Sequence, residues 1–95
     1  MAGYIVFDIE VTNPEGYQEY AKRVPPIIAQ YGGRYLARGG AVESLEGGWQ
    51  PPRFVILEFE SVEQAKRFFY SPEYEAIKAM RIENSKSRGI IVQGV

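Results

Sequence analysis

The chain has 95 residues and a formal charge of −1 from 11 basic and 12 acidic side chains; 45% of it is hydrophobic, and it has neither cysteine nor histidine. That length fits one domain with a single core, and the composition excludes a disordered chain, a disulfide scaffold, a thiolate or imidazole catalyst, and a conventional zinc or cysteine-ligated iron–sulfur site. Evenly mixed charge offers no basic field for nucleic acid or anionic lipid, so partners are expected to be recognised locally.

Met1-Ala2-Gly3-Tyr4 carries no basic leader, long apolar stretch or small-residue cleavage site, and no apolar run nears the roughly 20 residues of a membrane span. A soluble cytoplasmic protein is the expectation. From Tyr4 to Val11 the alternation sets Ile5, Phe7, Ile9 and Val11 against Tyr4, Val6, Asp8 and Glu10, a first strand. Asn13-Pro14-Glu15 then reads as an N-cap, a proline at the first helical position and an early acid, followed at helical spacing by Tyr17, Tyr20, Ala21, Val24, Ile27, Ile28 and Tyr31. Pro25-Pro26 removes two backbone donors and predicts a break or sharp kink, with a short second segment ending at Gly32-Gly33.

Arg34 to Glu46 reads as a second strand interrupted at Gly39-Gly40, and Gly47 to Pro52 as a loop. Arg53 to Glu60 is the third strand, joined to the second as a hairpin. Ser61 and Gln64 predict a capping box for a helix bearing Ala65, Phe68 and Phe69, and Ser71-Pro72-Glu73 restarts a helix through about Asn84. Ser85 to Gly89 reads as polar loop and Ile90 to Val95 as the last strand. This βαββαβ order predicts an α+β, ferredoxin-like domain over residues 1–95. Its four-stranded antiparallel sheet has helices on one face, the last strand beside the first and the third between the first and second.

If the odd positions of the first strand meet the helices, Tyr4, Val6, Phe54 and Ile56 lie on the other face beside Asp8 and Glu58. Such an apolar patch predicts a homodimer packed sheet to sheet.

Several blocks carry a family resemblance. Tyr31-Gly32-Gly33-Arg34-Tyr35-Leu36-Ala37-Arg38-Gly39-Gly40, Leu45-Glu46-Gly47 with Trp49, and Ser71-Pro72-Glu73-Tyr74 with Arg81 resemble the small bacterial family known as domain of unknown function 1330. The likeness runs over essentially the whole chain. It implies a dimeric α/β barrel, the superfamily that includes cofactor-independent monooxygenases and muconolactone isomerase, and it implies no particular reaction.

With thiol and imidazole absent, tyrosine, arginine, tryptophan and carboxylate remain. Arg81 follows Tyr74 by seven and Ile77 by four, which places all three on one helix face, where the cation could meet an acid. Tyr17, Tyr20 and Tyr31 would wall a cavity under the first helix, although tyrosines at that spacing also serve simply as core, and an arginine near a helix end also snorkels. Asp8, Arg38 and Glu58 could face one way on neighbouring strands, either as an acid/base cluster or as an interfacial ion-pair network. The glycine- and proline-bearing loop from Gly47 to Arg53 holds Trp49 and could cover a pocket mouth, with Arg53 adding a positive group, or Trp49 could merely anchor it.

No metal-ligand spacing is present, and no cofactor is expected. Arg53 to Phe59 faintly echoes an RNA-recognition strand, but Ile56 stands where an aromatic is wanted, and Asp8 and Glu58 would repel phosphates; nucleic acid is not an expected partner. An acylphosphatase-like site fails as well, since Thr12 to Gly16 supplies no arginine. What remains is a homodimer binding a small aromatic or carboxylate-bearing molecule between sheet and helices. The alternatives are a cofactor-independent monooxygenase- or isomerase-like enzyme and a non-catalytic structural dimer.

Overall fold

A computed structural model describes all 95 residues. The first strand, β1 (Gly3–Val11), alternates strictly, so Ile5, Phe7 and Ile9 are buried while Tyr4, Val6 and Asp8 keep partial exposure. It is flanked on both sides by antiparallel partners, β3 (Arg53–Phe59) and β4 (Ser85–Gln93), and β2 (Arg34–Arg38) adds outside β3. The sheet order β2-β3-β1-β4 is the expected ferredoxin-like one. Helices α1 (Pro14–Gln30), α2 (Val62–Phe69) and α3 (Pro72–Glu83) cover one face, and α1 packs along α3. None is long and apolar enough to cross a membrane.

The core lies between the two layers. Ile5, Phe7, Leu57 and Phe59 from the sheet meet Val24, Ile28, Phe68 and Tyr74 from the helices. The other face of the sheet carries no helix, and the molecule is a slab of 34 × 33 × 16 Å.

Local readings fail where tertiary context overrides them. The helix does not break at Pro25-Pro26: α1 runs on to Gln30, because Val24 and Ile28, one turn apart, are both buried and hold the helical path on either side of the prolines. Asn13 occupies the N-cap position, but its side chain donates to Asn84 Oδ1 at 2.9 Å and caps nothing. The capping box is half formed. Ser61 accepts from the Gln64 amide, while the Gln64 side chain donates to the Tyr31 carbonyl at 2.8 Å, tying α2 to the end of α1.

The second strand stops at Arg38 rather than Glu46, since Gly39 takes φ +69, a left-handed conformation that leaves the ladder. Its irregularity falls between Tyr35 and Ala37, not at the glycine pair. Ser85 to Gly89 is strand rather than loop. The edge of β1 dictates this, pairing Val11 with Ser85, Ile9 with Ser87 and Phe7 with Gly89.

Candidate functional site

A line of polar side chains crosses the interior on the helix side. Arg53 Nε donates to the Tyr17 hydroxyl at 3.2 Å, and the Tyr17 and Tyr20 rings lie 5.5 Å apart. The Tyr20 and Tyr74 hydroxyls share a buried hydrogen bond of 2.8 Å, and Arg81 Nε donates to Tyr74 at 3.1 Å. Burial, reinforced by the neighbouring Tyr74 phenol, pushes the Tyr20 pKa far up, so the Tyr20 hydroxyl stays protonated.

Arg81 ends this line. Only 6% exposed, it stacks its guanidinium 4.7 Å above the Phe7 ring and donates through Nη1 to Ser87 Oγ. The ion pairs of the chain are Arg23–Glu19, Arg34–Glu58, Lys78–Glu75 and Arg88–Asp8, so this buried cation has no carboxylate partner. Sequence spacing placed Arg81, Tyr74 and Ile77 on one face, and all three are buried there.

The space directly under α1 is nearly closed. About 30 Å³ remains among Tyr17, Tyr20, Tyr35, Arg38, Arg53 and their apolar neighbours, roughly the share of one liquid water molecule. Tyr17 and Tyr20, expected to wall a cavity, fill it instead, and Tyr31 does not line it. At its mouth Arg38 lies 4.7 Å over the Tyr35 ring; burial raises the Tyr35 pKa, and the hydrogen bond and charge of Arg38 partly oppose that rise.

The roomy opening lies farther along, between α3 and β4, and reaches round the β4 edge to Arg88 and Ile90. It measures about 640 Å³ and is lined by Phe7, Phe69, Ile82 and Ile91 with Arg81, Lys86 and Arg88. It exists because the helix-facing positions of the first half of β4 are Ser85, Ser87 and Gly89. At Gly89 a Cβ would come within 2.6 Å of the Phe7 ring. Ser87 and Gly89 were missed as site residues because the sequence reads 85–89 as a loop, and Phe7 because it reads only as core; pairing of β4 with β1 is the signal that brings the three together.

The other expected site residues are scattered. At the C-terminal end of α1, with its ring against Phe68, Tyr31 donates to Glu73 at 2.7 Å, which raises the Tyr31 pKa and lowers that of Glu73. Trp49 packs edge-on against Phe54 at 5.7 Å, on the sheet face away from the helices, whereas Arg53 points to the helix side. Asp8, Arg38 and Glu58 are not brought together. The bulge at Leu36 pairs Arg38 with Val55 and turns it to the helix side, while Asp8 pairs with Arg88 at 3.0 Å and Glu58 with Arg34 at 2.6 Å.

Solved structures share this fold over nearly the whole chain. A protein of unknown function from Rhodopseudomonas palustris is 20% identical with a TM-score of 0.74, over 99% of this chain and 82% of that one. A conserved protein from Methanosarcina mazei is 17% identical with a TM-score of 0.58, over 100% and 95%. SnoaB, a cofactor-independent oxygenase from Streptomyces nogalater, is 10% identical with a TM-score of 0.58, over 99% and 91%. At these identities the likeness is one of fold. No curated protein matches the sequence. The model of the family Domain of unknown function (DUF1330) matches residues 2–95, and the chain belongs to that family.

Proposed function

We propose that the chain works as a homodimer that binds one small aromatic or carboxylate-bearing molecule per subunit, on the helix side of each sheet. The observation that carries this reading is the contrast between the two faces of one sheet. One is covered by helices and threaded by phenols and guanidinium groups; the other is apolar and uncovered. Tyr4, Val6, Phe54 and Ile56 stand on the open face, joined by Leu36, Ile90 and Val92 at 48, 63 and 45% exposure. A monomer seldom leaves such a surface in water.

A second copy is the occupant this face suits. Its apolar side chains run across all four strands, from Leu36 on β2 to Ile90 and Val92 on β4. Two of its outward acids are already paired, Asp8 with Arg88 and Glu58 with Arg34, so an apolar partner would leave neither of them stranded. A ligand then reaches the helix side past the β4 edge, where Arg88 and Ile90 border the opening.

A thermal-shift panel of small organic acids and neutral aromatics tests the binding half. Expected is a melting temperature that climbs with the logarithm of concentration for at least one class. Unmoved melting curves across the panel at millimolar concentration contradict ligand binding and leave the structural dimer.

A further inference from the structure

The geometry points to the groove between α3 and β4 as the site of an amphipathic carboxylate, with the acid on Arg81 and an apolar body against Phe69 and Ile82. This inference rests on the small-molecule reading above and assigns its location and ligand chemistry.

Arg81 supplies the first reason. Removing a guanidinium from water without a counter-charge is costly, and proteins ordinarily pair one buried to this degree with an acid. Here neutral hydroxyls and an aromatic face take that role. Nη2 forms no hydrogen bond, yet no buried side-chain nitrogen or oxygen in the chain lacks a partner; Nη2 therefore opens to the groove. With Nε and Nη1 fixed by Tyr74 and Ser87, the guanidinium is held in position before a ligand arrives, which reduces the ordering cost of binding.

The lining supplies the second. The charged residues among its 13 are Arg81, Lys86 and Arg88, with no acid, and seven are hydrophobic. Arg88 is engaged by Asp8 and lies at the rim; Arg81 is the cation at depth. One deep positive group within apolar walls matches a monoanion carried on a ring system or short acyl chain. A free phosphate or a dianionic sugar phosphate would leave Phe69 and Ile82 unused. The volume, about 640 Å³, is within the range of small-molecule sites.

The test compares 2-naphthoate with 2-naphthamide, its neutral relative, by calorimetric titration of the full chain. Naphthoate is expected to bind about tenfold more tightly, the scale of one charge-assisted hydrogen bond. Arg81→Gln should abolish that difference. Because that variant removes a buried group, Ile82→Glu provides an independent check. Ile82 is 57% exposed, so the change leaves the core intact while setting a carboxylate at the groove, and it should weaken naphthoate about tenfold and naphthamide little. Equal affinity for acid and amide, or naphthoate binding indifferent to Ile82→Glu, overturns the site while leaving ligand binding elsewhere in force. Silence from every compound of the broader panel overturns both.

Discussion

Arg81 carries a desolvation cost that its hydrogen bonds only partly offset, so its removal should be cheap for stability. Arg81→Met, which fills similar volume without a charge, is expected to lie within about 1 kcal/mol of wild type or above it in urea unfolding. Tyr74→Phe behaves differently. Tyr74 is fully buried and its hydroxyl is the partner of both the Tyr20 hydroxyl and Arg81 Nε, so the variant leaves buried polar groups without that partner and should lose about 1–3 kcal/mol. A large loss in Arg81→Met would instead assign that residue to the scaffold. Titration adds a second signature at each end of the pH scale. Burial first, then Tyr74, raises Tyr20 above its ordinary 10.0; its contribution is complete below pH 10 and is lost as pH climbs through the raised value. Tyr20 should therefore resist ionisation until the chain unfolds, which phenolate absorbance measures. Glu73 has the opposite sign: the Tyr31 hydrogen bond lowers it below 4.5, so its contribution is present above about pH 4.5 and fades as pH falls through the lowered value. Tyr31→Phe should flatten that acid limb of melting temperature against pH; an unchanged limb contradicts the assignment.

Among the elements, α1 shows most clearly what sequence alone misjudges. Pro25-Pro26 argues locally for a break, yet burial of Val24 and Ile28 carries the helix through, leaving the carbonyls one turn earlier without their donors. Pro26→Ala restores one donor at an exposed position and should stabilise the chain by about 1–2 kcal/mol, the helical gain less the added freedom of the unfolded chain. A loss of stability would mean that the prolines shape something α1 needs. At the other end, Gly89→Val should cost about 1–3 kcal/mol, because its Cβ would meet the Phe7 ring at 2.6 Å, and it should also displace the floor under Arg81. The legible parts were those set by near neighbours. The alternation of β1, the serine N-caps at Ser61 and Ser71, and the helical spacing of Tyr74, Ile77 and Arg81 were readable from the sequence. What was not legible depended on distant pairing. Ser85 to Gly89 has loop composition and becomes strand only because β1 offers an edge, and the bulge at Leu36, which sends Arg38 to the opposite side from Asp8 and Glu58, leaves no mark in composition. The proposed groove lies on one of those two segments, which is why Arg81 was found and its surroundings were not.

At the scale of the molecule, a single layer of helices over a sheet leaves a slab 16 Å thick with one finished side. The helix side holds the core and the buried phenols, and the groove opens at the β4 edge. The other side holds exposed aliphatic groups beside the Asp8–Arg88 and Glu58–Arg34 pairs, the surface on which the proposed dimer rests. Ile56 sits near its middle, opposite Val6 on β1 and Ala37 on β2, and points away from the helices. Ile56→Glu should therefore separate the copies while preserving the secondary structure of each, visible as an unchanged far-ultraviolet spectrum at half the molar mass. Carboxylate binding is expected to persist in the separated copies, since Arg81, Phe69 and Ile82 are carried by the helices rather than by the open face. The most direct measurement is the molar mass of the wild-type chain at micromolar concentration by light scattering: twice the 10.8 kDa of one chain is the predicted result, and 10.8 kDa would contradict the account.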